Sequence, residues 1–210
     1  MATYDANTAI LVLCKAPIAG QVKTRLMPQL SADQASAVHQ ELTHRTLSLV
    51  TSSALCPVQL WCSPDTQHDF FSDCERYYAV SLHQQHGNDL GERMHHAIST
   101  ALKSSARVIL IGCDCPSLTV EDFTVAIKAL QHADDVVISP AEDGGYALIG
   151  MTAPHPELFF NMVWGQSNVY KISCDRIDKA GLKLIEMKRQ WDVDCIADFE
   201  RYKALSKVID

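Results

Sequence analysis

Residues Ala9 to Leu26 read AILVLCKAPIAGQVKTRL, and the fold follows from how that stretch divides. Ala9–Cys14 is a short, wholly apolar run, which reads as a strand buried on both faces. Lys15–Gly20 contains Pro17 and Gly20 and breaks it. Lys23, Thr24 and Arg25 then supply three polar donors in a row, two of them cationic. A buried strand opening into a loop with Lys15, Gly20, Lys23 and Arg25 has the build of an anion cradle, in which backbone N–H groups approach a phosphate and cations neutralise it. The plainer reading is a strand-to-loop junction with solvated basic residues. Two phosphate motifs are excluded. A Walker loop needs Gly before Lys-Thr, and Val22 stands there. A dinucleotide fingerprint needs three spaced glycines, and this loop has Gly20 alone.

Working outward, the chain alternates strand and helix signals. Ser31 with Gln34 forms a capping box that opens a helix ending near Ser53. Further strands are expected at 57–62, 78–82, 107–112, 135–139, 146–151 and 182–187, and residues 84–88 read as a polar loop. Helices are expected after Asp65, from Asp89, after Thr119, over 168–180 behind a Ser167 cap, and over 195–208. This pattern predicts one α/β domain spanning 1–210 with a largely parallel sheet of about seven strands. The turn at Asp143-Gly144-Gly145, between two apolar runs, predicts one antiparallel excursion.

With 47% apolar and 20% charged residues, the 210-residue chain can bury a full core. Its net charge of −7 argues against nonspecific nucleic-acid binding but permits a local basic pocket. No apolar run approaches a membrane span. The first seven residues lack the cationic start of a signal peptide, so a cytoplasmic location is expected. The eight cysteines have no framework spacing and read as reduced thiols, mostly small core residues, rather than disulfides or a zinc site. Neither His39 with His44 nor His95 with His96 has zinc-binding spacing.

In an open α/β sheet, ligands bind beyond the carboxyl ends of the strands. Asp114 follows the most apolar strand, where its carboxylate could hold a divalent cation or cap the turn into the next helix. Asp192 and Asp194 precede the final helix; Asp194 could be a second metal ligand or a plain N-cap. Glu142–Tyr146 is a tight turn, and Arg93 could face solvent or a pocket. Trp164 reads as a core or rim aromatic before a stacking platform.

Five segments, Lys15–Leu26 (K-x-P-x-x-G-x-V-K-T-R-L), Asp89–Met94 (DLGERM), Gly112–Leu118 (G-x-D-x-P-x-L), Asp143–Tyr146 (DGGY) and Asp192–Asp194 (D-x-D), occur in that order. Together they resemble the bacterial GT-A-like transferases, also called selenodomain-associated or arsenosugar-biosynthesis-type glycosyltransferases. The resemblance implies the nucleotide-diphospho-sugar transferase fold, a three-layer α/β/α Rossmann-like sandwich. It implies that Lys15, Lys23 and Arg25 hold the nucleotide phosphates, and Gly20, Thr24 and Arg93 are expected to bind the nucleotide with them. It further implies that Asp114 holds Mg²⁺ or Mn²⁺ and that Asp143 and Tyr146 line the acceptor side, with Gly144 and Gly145 beside them; Asp114 and Asp143 are the expected catalytic residues, and Asp194 is the candidate second metal ligand. Two departures stand out: Cys195-Ile196-Ala197-Asp198-Phe199 replaces the family's Thr-Pro-x-Asp-Leu, and Gly165-Gln166-Ser167 matches its Trp-containing segment only loosely.

Two reactions suit such a pocket. A glycosyltransferase passes a sugar from a nucleotide sugar to a small soluble acceptor as a nucleoside diphosphate departs. A nucleotidyltransferase couples a nucleoside triphosphate to a phosphorylated small molecule and releases pyrophosphate. The Lys-Thr-Arg-Leu run also resembles the phospholactate guanylyltransferases. A non-catalytic nucleotide-binding domain is the third reading.

Overall fold

The computed structural model describes residues 4–206 of the 210. Its strands are β1 (Thr8–Lys15), β2 (Val58–Ser63), β3 (Ser81–Gln84), β4 (Arg107–Gly112), β5 (Asp135–Pro140), β6 (Tyr146–Met151) and β7 (Lys183–Glu186). Its helices are α1 (Ala32–Ser52), α2 (Asp69–Tyr78), α3 (Leu90–Ala101), α4 (Val120–Ala129), α5 (Val169–Lys179) and α6 (Ile196–Ser206). The strands form one sheet in the order β3-β2-β1-β4-β6-β5-β7. β6 runs antiparallel to both its neighbours, β4 and β5, and the other pairings are parallel. The chain leaves β1 for β2 on one side and later returns to its other side as β4. The switch point of the sheet therefore lies between β1 and β4, where a crevice opens at their carboxyl ends.

Alternation along each strand divides the core. Ile10, Val12, Ile109, Ile111 and Val137 pack one way, against Leu47 and Val50 of α1, Phe71 of α2 and Phe123 of α4. Leu11, Val108, Leu110 and Ile138 pack the other way, against Met94, Ala97 and Ile98 of α3 and Ile177 of α5. Both faces are thus covered, as the uninterrupted apolar runs require, and the architecture is the expected α/β/α sandwich. A third cluster joins Leu26, Val38 and Leu42 to Trp191, Val193 and Tyr202, fixing the last loop and α6 beside the crevice.

Local signals place most boundaries. Ser31 and Gln34 make the reciprocal capping bonds, at 3.1 and 2.8 Å. Asp89 caps α3 by accepting from Glu92 N at 2.8 Å. Asp122 accepts from both Thr119 N and Thr119 Oγ1 at the start of α4. Some expectations shift. Tyr78 belongs to α2, so the third strand starts at Ser81 and takes in Gln84, where the sequence predicts loop. Asn168, not Ser167, is the cap residue of α5, and it makes no side-chain cap bond. The last strand is confined to Lys183–Glu186. The expected end of the last helix at Val208 lies outside the described residues.

Candidate functional site

The site is built where the loops after β1, β4 and β5 meet. The chain must turn sharply off β1, and Gly20 does so at φ +83°, in the region that favours glycine. Lys23 lies there too, at φ +47°, a conformation that costs a residue with a Cβ about 1 kcal/mol. That turn aims its side chain inward. Lys23 Nζ donates to Val193 O at 2.7 Å, Asp114 Oδ2 at 2.8 Å and Asp194 Oδ1 at 3.4 Å. An ammonium has three donors, so all of them are used, and the side chain is only 6% exposed. Lys23 thus bridges two carboxylates at the edge of the cavity that Lys15 and Arg25 also line. Arg25 is 68% exposed and also pairs with Asp194, through Oδ2 at 2.9 Å.

The acids converge because the segment before α6 is strapped across the sheet end. Gln190 N donates to Pro140 O, Trp191 N to Ser117 Oγ, and Val193 N to Asp114 O at 3.0 Å. Asp198 accepts from Asp194 N and Cys195 N, so the departure at 195–199 keeps the capping carboxylate. Arg201 braces the β5–β6 turn, reaching both carboxylate oxygens of Glu142 at 2.9 and 3.3 Å while stacking over Trp191. As a result, one oxygen each of Asp114, Asp192 and Asp194 lie within 4.8 Å of one another.

These carboxylates do not share one electrostatic state. Burial penalises the Asp114 charge, but the Lys23 ammonium outweighs it and holds the pKa below the ordinary value. Asp192 is pushed up to about 7, first by burial and then by Asp114, Asp194 and Asp143 around it. The cluster therefore carries more negative charge than Lys23 and Arg25 relieve. Three clustered oxygen donors, one of them electrostatically uncomfortable, fit a hard divalent cation such as Mg²⁺ or Mn²⁺.

Two cavities meet at Asp114. One, of about 380 Å³, is lined by Lys15, Lys23, Thr24, Arg25, Gln85 and Arg93 among others. Arg93, left open by sequence, thus borders this pocket, and its Nε donates to Gly87 O. Gly20 does not line it and acts on the loop's path instead. The other cavity, of about 190 Å³, is lined by Asp143, Gly145, Tyr146, Trp164 and Asp192 with apolar neighbours such as Leu90, Met94 and Val169. Among its described lining residues none is Lys, Arg or His. Gly144 is absent from this lining; it packs on the Ser167 backbone and shapes the turn. Gly145 N donates to Asp143 Oδ1 at 2.8 Å. Trp164 is a rim aromatic, set edge-on to Tyr146, and Gly91 admits it, since a Cβ at 91 would meet the indole and Phe159 O.

The sequence marks Asp114 and Asp194 as candidate ligands, and the structure adds Asp192 to them. The D-x-D spacing held that signal, but only the strap turns both carboxylates toward Asp114.

The fold is that of an α/β protein close to a solved nucleotide-diphospho-sugar transferase structure. The chain belongs to the family described as uncharacterized protein conserved in bacteria (DUF2064), which matches residues 46–166. A solved candidate nucleotide-diphospho-sugar transferase from Desulfovibrio desulfuricans G20 is 30% identical, with a TM-score of 0.82 over 91% of this chain and 84% of that one. A nucleotidyl transferase from Methanothermobacter is 11% identical, with a TM-score of 0.66 over 97% and 99%. A cytidylyltransferase from Leptospira borgpetersenii is 14% identical, with a TM-score of 0.61 over 95% and 86%. At those identities the last two show a shared fold. No curated protein matches the sequence significantly. Among the described residues no helix is long and apolar enough to cross a membrane.

Proposed function

We propose that the protein is a cytoplasmic, metal-dependent glycosyltransferase that moves a sugar from a nucleotide-diphospho-sugar to a small soluble acceptor. The observation that carries this reading is the split character of the crevice. The cavity on the β1 side carries Lys15, Arg25 and Arg93, whereas the one on the β5 side carries Asp143 and Asp192 and, among its described lining residues, no cation. A nucleotidyl transfer to a phosphorylated acceptor needs positive charge on both sides, because two phosphates must approach one another. Glycosyl transfer needs it only under the departing diphosphate. The resemblance of the DLGERM and DGGY segments to arsenosugar-biosynthesis-type transferases, and the 30% identical relative, support the same choice.

In this mechanism Asp114, Asp192 and Asp194 would hold Mg²⁺ or Mn²⁺, which would supply charge neutralisation for the diphosphate. Lys15, Arg25 and Arg93 bind the phosphates from the open side. Lys23 positions Asp114 and Asp194. Tyr146 and Trp164 line the acceptor cavity, and Asp143 takes the proton from the attacking hydroxyl through Oδ2, the oxygen that Gly145 leaves uncommitted.

The test is a product assay by mass spectrometry with Mg²⁺ or Mn²⁺, nucleotide sugars and nucleoside triphosphates. Metal-dependent release of a nucleoside diphosphate is expected, and Asp114→Asn should abolish it. Pyrophosphate release with a nucleotidyl adduct would replace this reading with nucleotidyl transfer.

A further inference from the structure

We propose that Cys14, His39 and Cys113 form a second metal site, of thiolate and imidazole donors, for a borderline or soft ion, zinc first among them. The three come from separate elements. Cys14 lies near the end of β1, Cys113 directly after β4, and His39 on α1. β1 and β4 are paired with Leu13 opposite Gly112, so the two cysteines are the next residues along adjacent strands. Both belong to the face of the sheet that α1 covers. All three residues are buried, at 2%, 5% and 5% exposure.

The spacing suits coordination. One donor atom from each residue lies within 4.8 Å of the other two. Cys14 Sγ is 3.7 Å from His39 Nε2. Sulfur at about 2.3 Å and nitrogen at about 2.0–2.1 Å from a tetrahedral zinc stand roughly 3.6 Å apart. All three residues border the 380 Å³ cavity, which gives an ion an entry path and room for a water. Both cysteines coordinate as thiolates, any proton they carry leaving to solvent through the cavity, and the imidazole coordinates through a ring nitrogen that carries no proton. His39 Nε2 now donates to Lys15 O at 2.9 Å. As a ligand it gives up that bond and carries its proton on Nδ1, so occupancy is coupled to the loop that begins at Lys15.

Donor chemistry separates this site from its neighbour. Asp114 follows Cys113 directly, yet its cluster offers carboxylates, which suit Mg²⁺ and Mn²⁺, while thiolate and imidazole favour zinc. The remaining buried cysteines, Cys56, Cys62, Cys74 and Cys115, belong to no such donor cluster among the described residues.

Cobalt(II) tests the site without reference to turnover. One equivalent is added to reduced protein in excess Mg²⁺, which occupies the carboxylates. A thiolate-to-cobalt charge-transfer band in the near ultraviolet is expected, displaced by zinc, lost in Cys14→Ser and kept in Cys174→Ser on the opposite face of the sheet. Absence of the band from the unsubstituted protein, or its survival in Cys14→Ser, overturns the proposal. X-ray absorption of the zinc-loaded, unsubstituted protein needs no variant: two sulfur neighbours at about 2.3 Å are expected, and a shell of oxygen and nitrogen alone overturns it. Carboxylates give neither signal, so this result stands apart from whether the protein transfers sugars.

Discussion

Replacing Lys23 by methionine keeps the apolar stem and removes the charge that joins Asp114 to Asp194. The magnitude follows from how deeply the pair is buried. The lysine side chain is 6% exposed and the two carboxylates 33% and 34%. Breaking a fully buried pair costs about 3–5 kcal/mol, and an exposed pair is worth about 0–1 kcal/mol. A buried cation on partly open anions falls near the lower end of the first range, about 3 kcal/mol. For a chain of this size that corresponds to a Tm lower by roughly 6–12 °C. Scanning calorimetry in EDTA measures it. Added Mn²⁺ should then recover part of the loss, because the ion takes over the neutralisation. The pH dependence has a definite sign. Lys23 holds the Asp114 pKa down, so the stability from this pair is complete above the ordinary carboxylate pKa of about 3.9 and is lost as pH falls through the lowered value. The difference between variant and parent should persist at pH 5 and collapse in stronger acid. A variant Tm within ~2 °C of the parent in EDTA at neutral pH would refute the assigned part of Lys23.

Asp192→Asn carries the opposite sign. A carboxyl raised to about 7 in the folded state destabilises the fold progressively as pH rises from its unfolded pKa toward 7. The variant should therefore melt higher than the parent at pH 8 without metal, with the gain vanishing near pH 4; an equal gain at both pH values would remove the charge explanation. Gly91→Ala places a Cβ against Phe159 O and the Trp164 indole, an overpacking worth about 1–3 kcal/mol, and urea unfolding should show it together with altered tryptophan fluorescence. Arg25→Ala, losing an exposed pair, should leave stability within about 0.5 kcal/mol while raising KM for the nucleotide sugar by roughly ten- to a hundredfold, since a charge-assisted phosphate contact is worth about 1.5–3 kcal/mol; steady-state kinetics with unchanged KM would remove Arg25 from the donor site.

Local signals were readable wherever a residue acts on its own neighbours. The capping box at Ser31 and Gln34, the break at Pro17 and Gly20, and the strands at 107–112 and 146–151 all depend on adjacent residues. The boundary near Tyr78 was not readable, because a tyrosine suits a helix end and a strand start alike and tertiary packing decides. Within the site, the sequence marked Lys15, Arg25, Arg93, Asp114, Asp143 and Asp194 as polar groups at strand ends, and the structure brings them to two adjoining cavities.

The sequence by itself determined the alternation of buried strands and covering helices, since continuous apolar runs must be shielded on both faces. It also placed the chemistry-bearing residues just beyond those strands. Strand order, and with it every long-range encounter, was decided only by tertiary structure. Lys23 and Asp194 are 171 residues apart in the chain. Cys14 meets Cys113 because β1 lies beside β4. Asp192 turns toward Asp114 because backbone bonds from Gln190 and Val193 strap that segment across the sheet. Periodicity records which face of an element is buried; it does not record which element buries it, and the lowered pKa of Asp114 and the raised pKa of Asp192 follow from those partners.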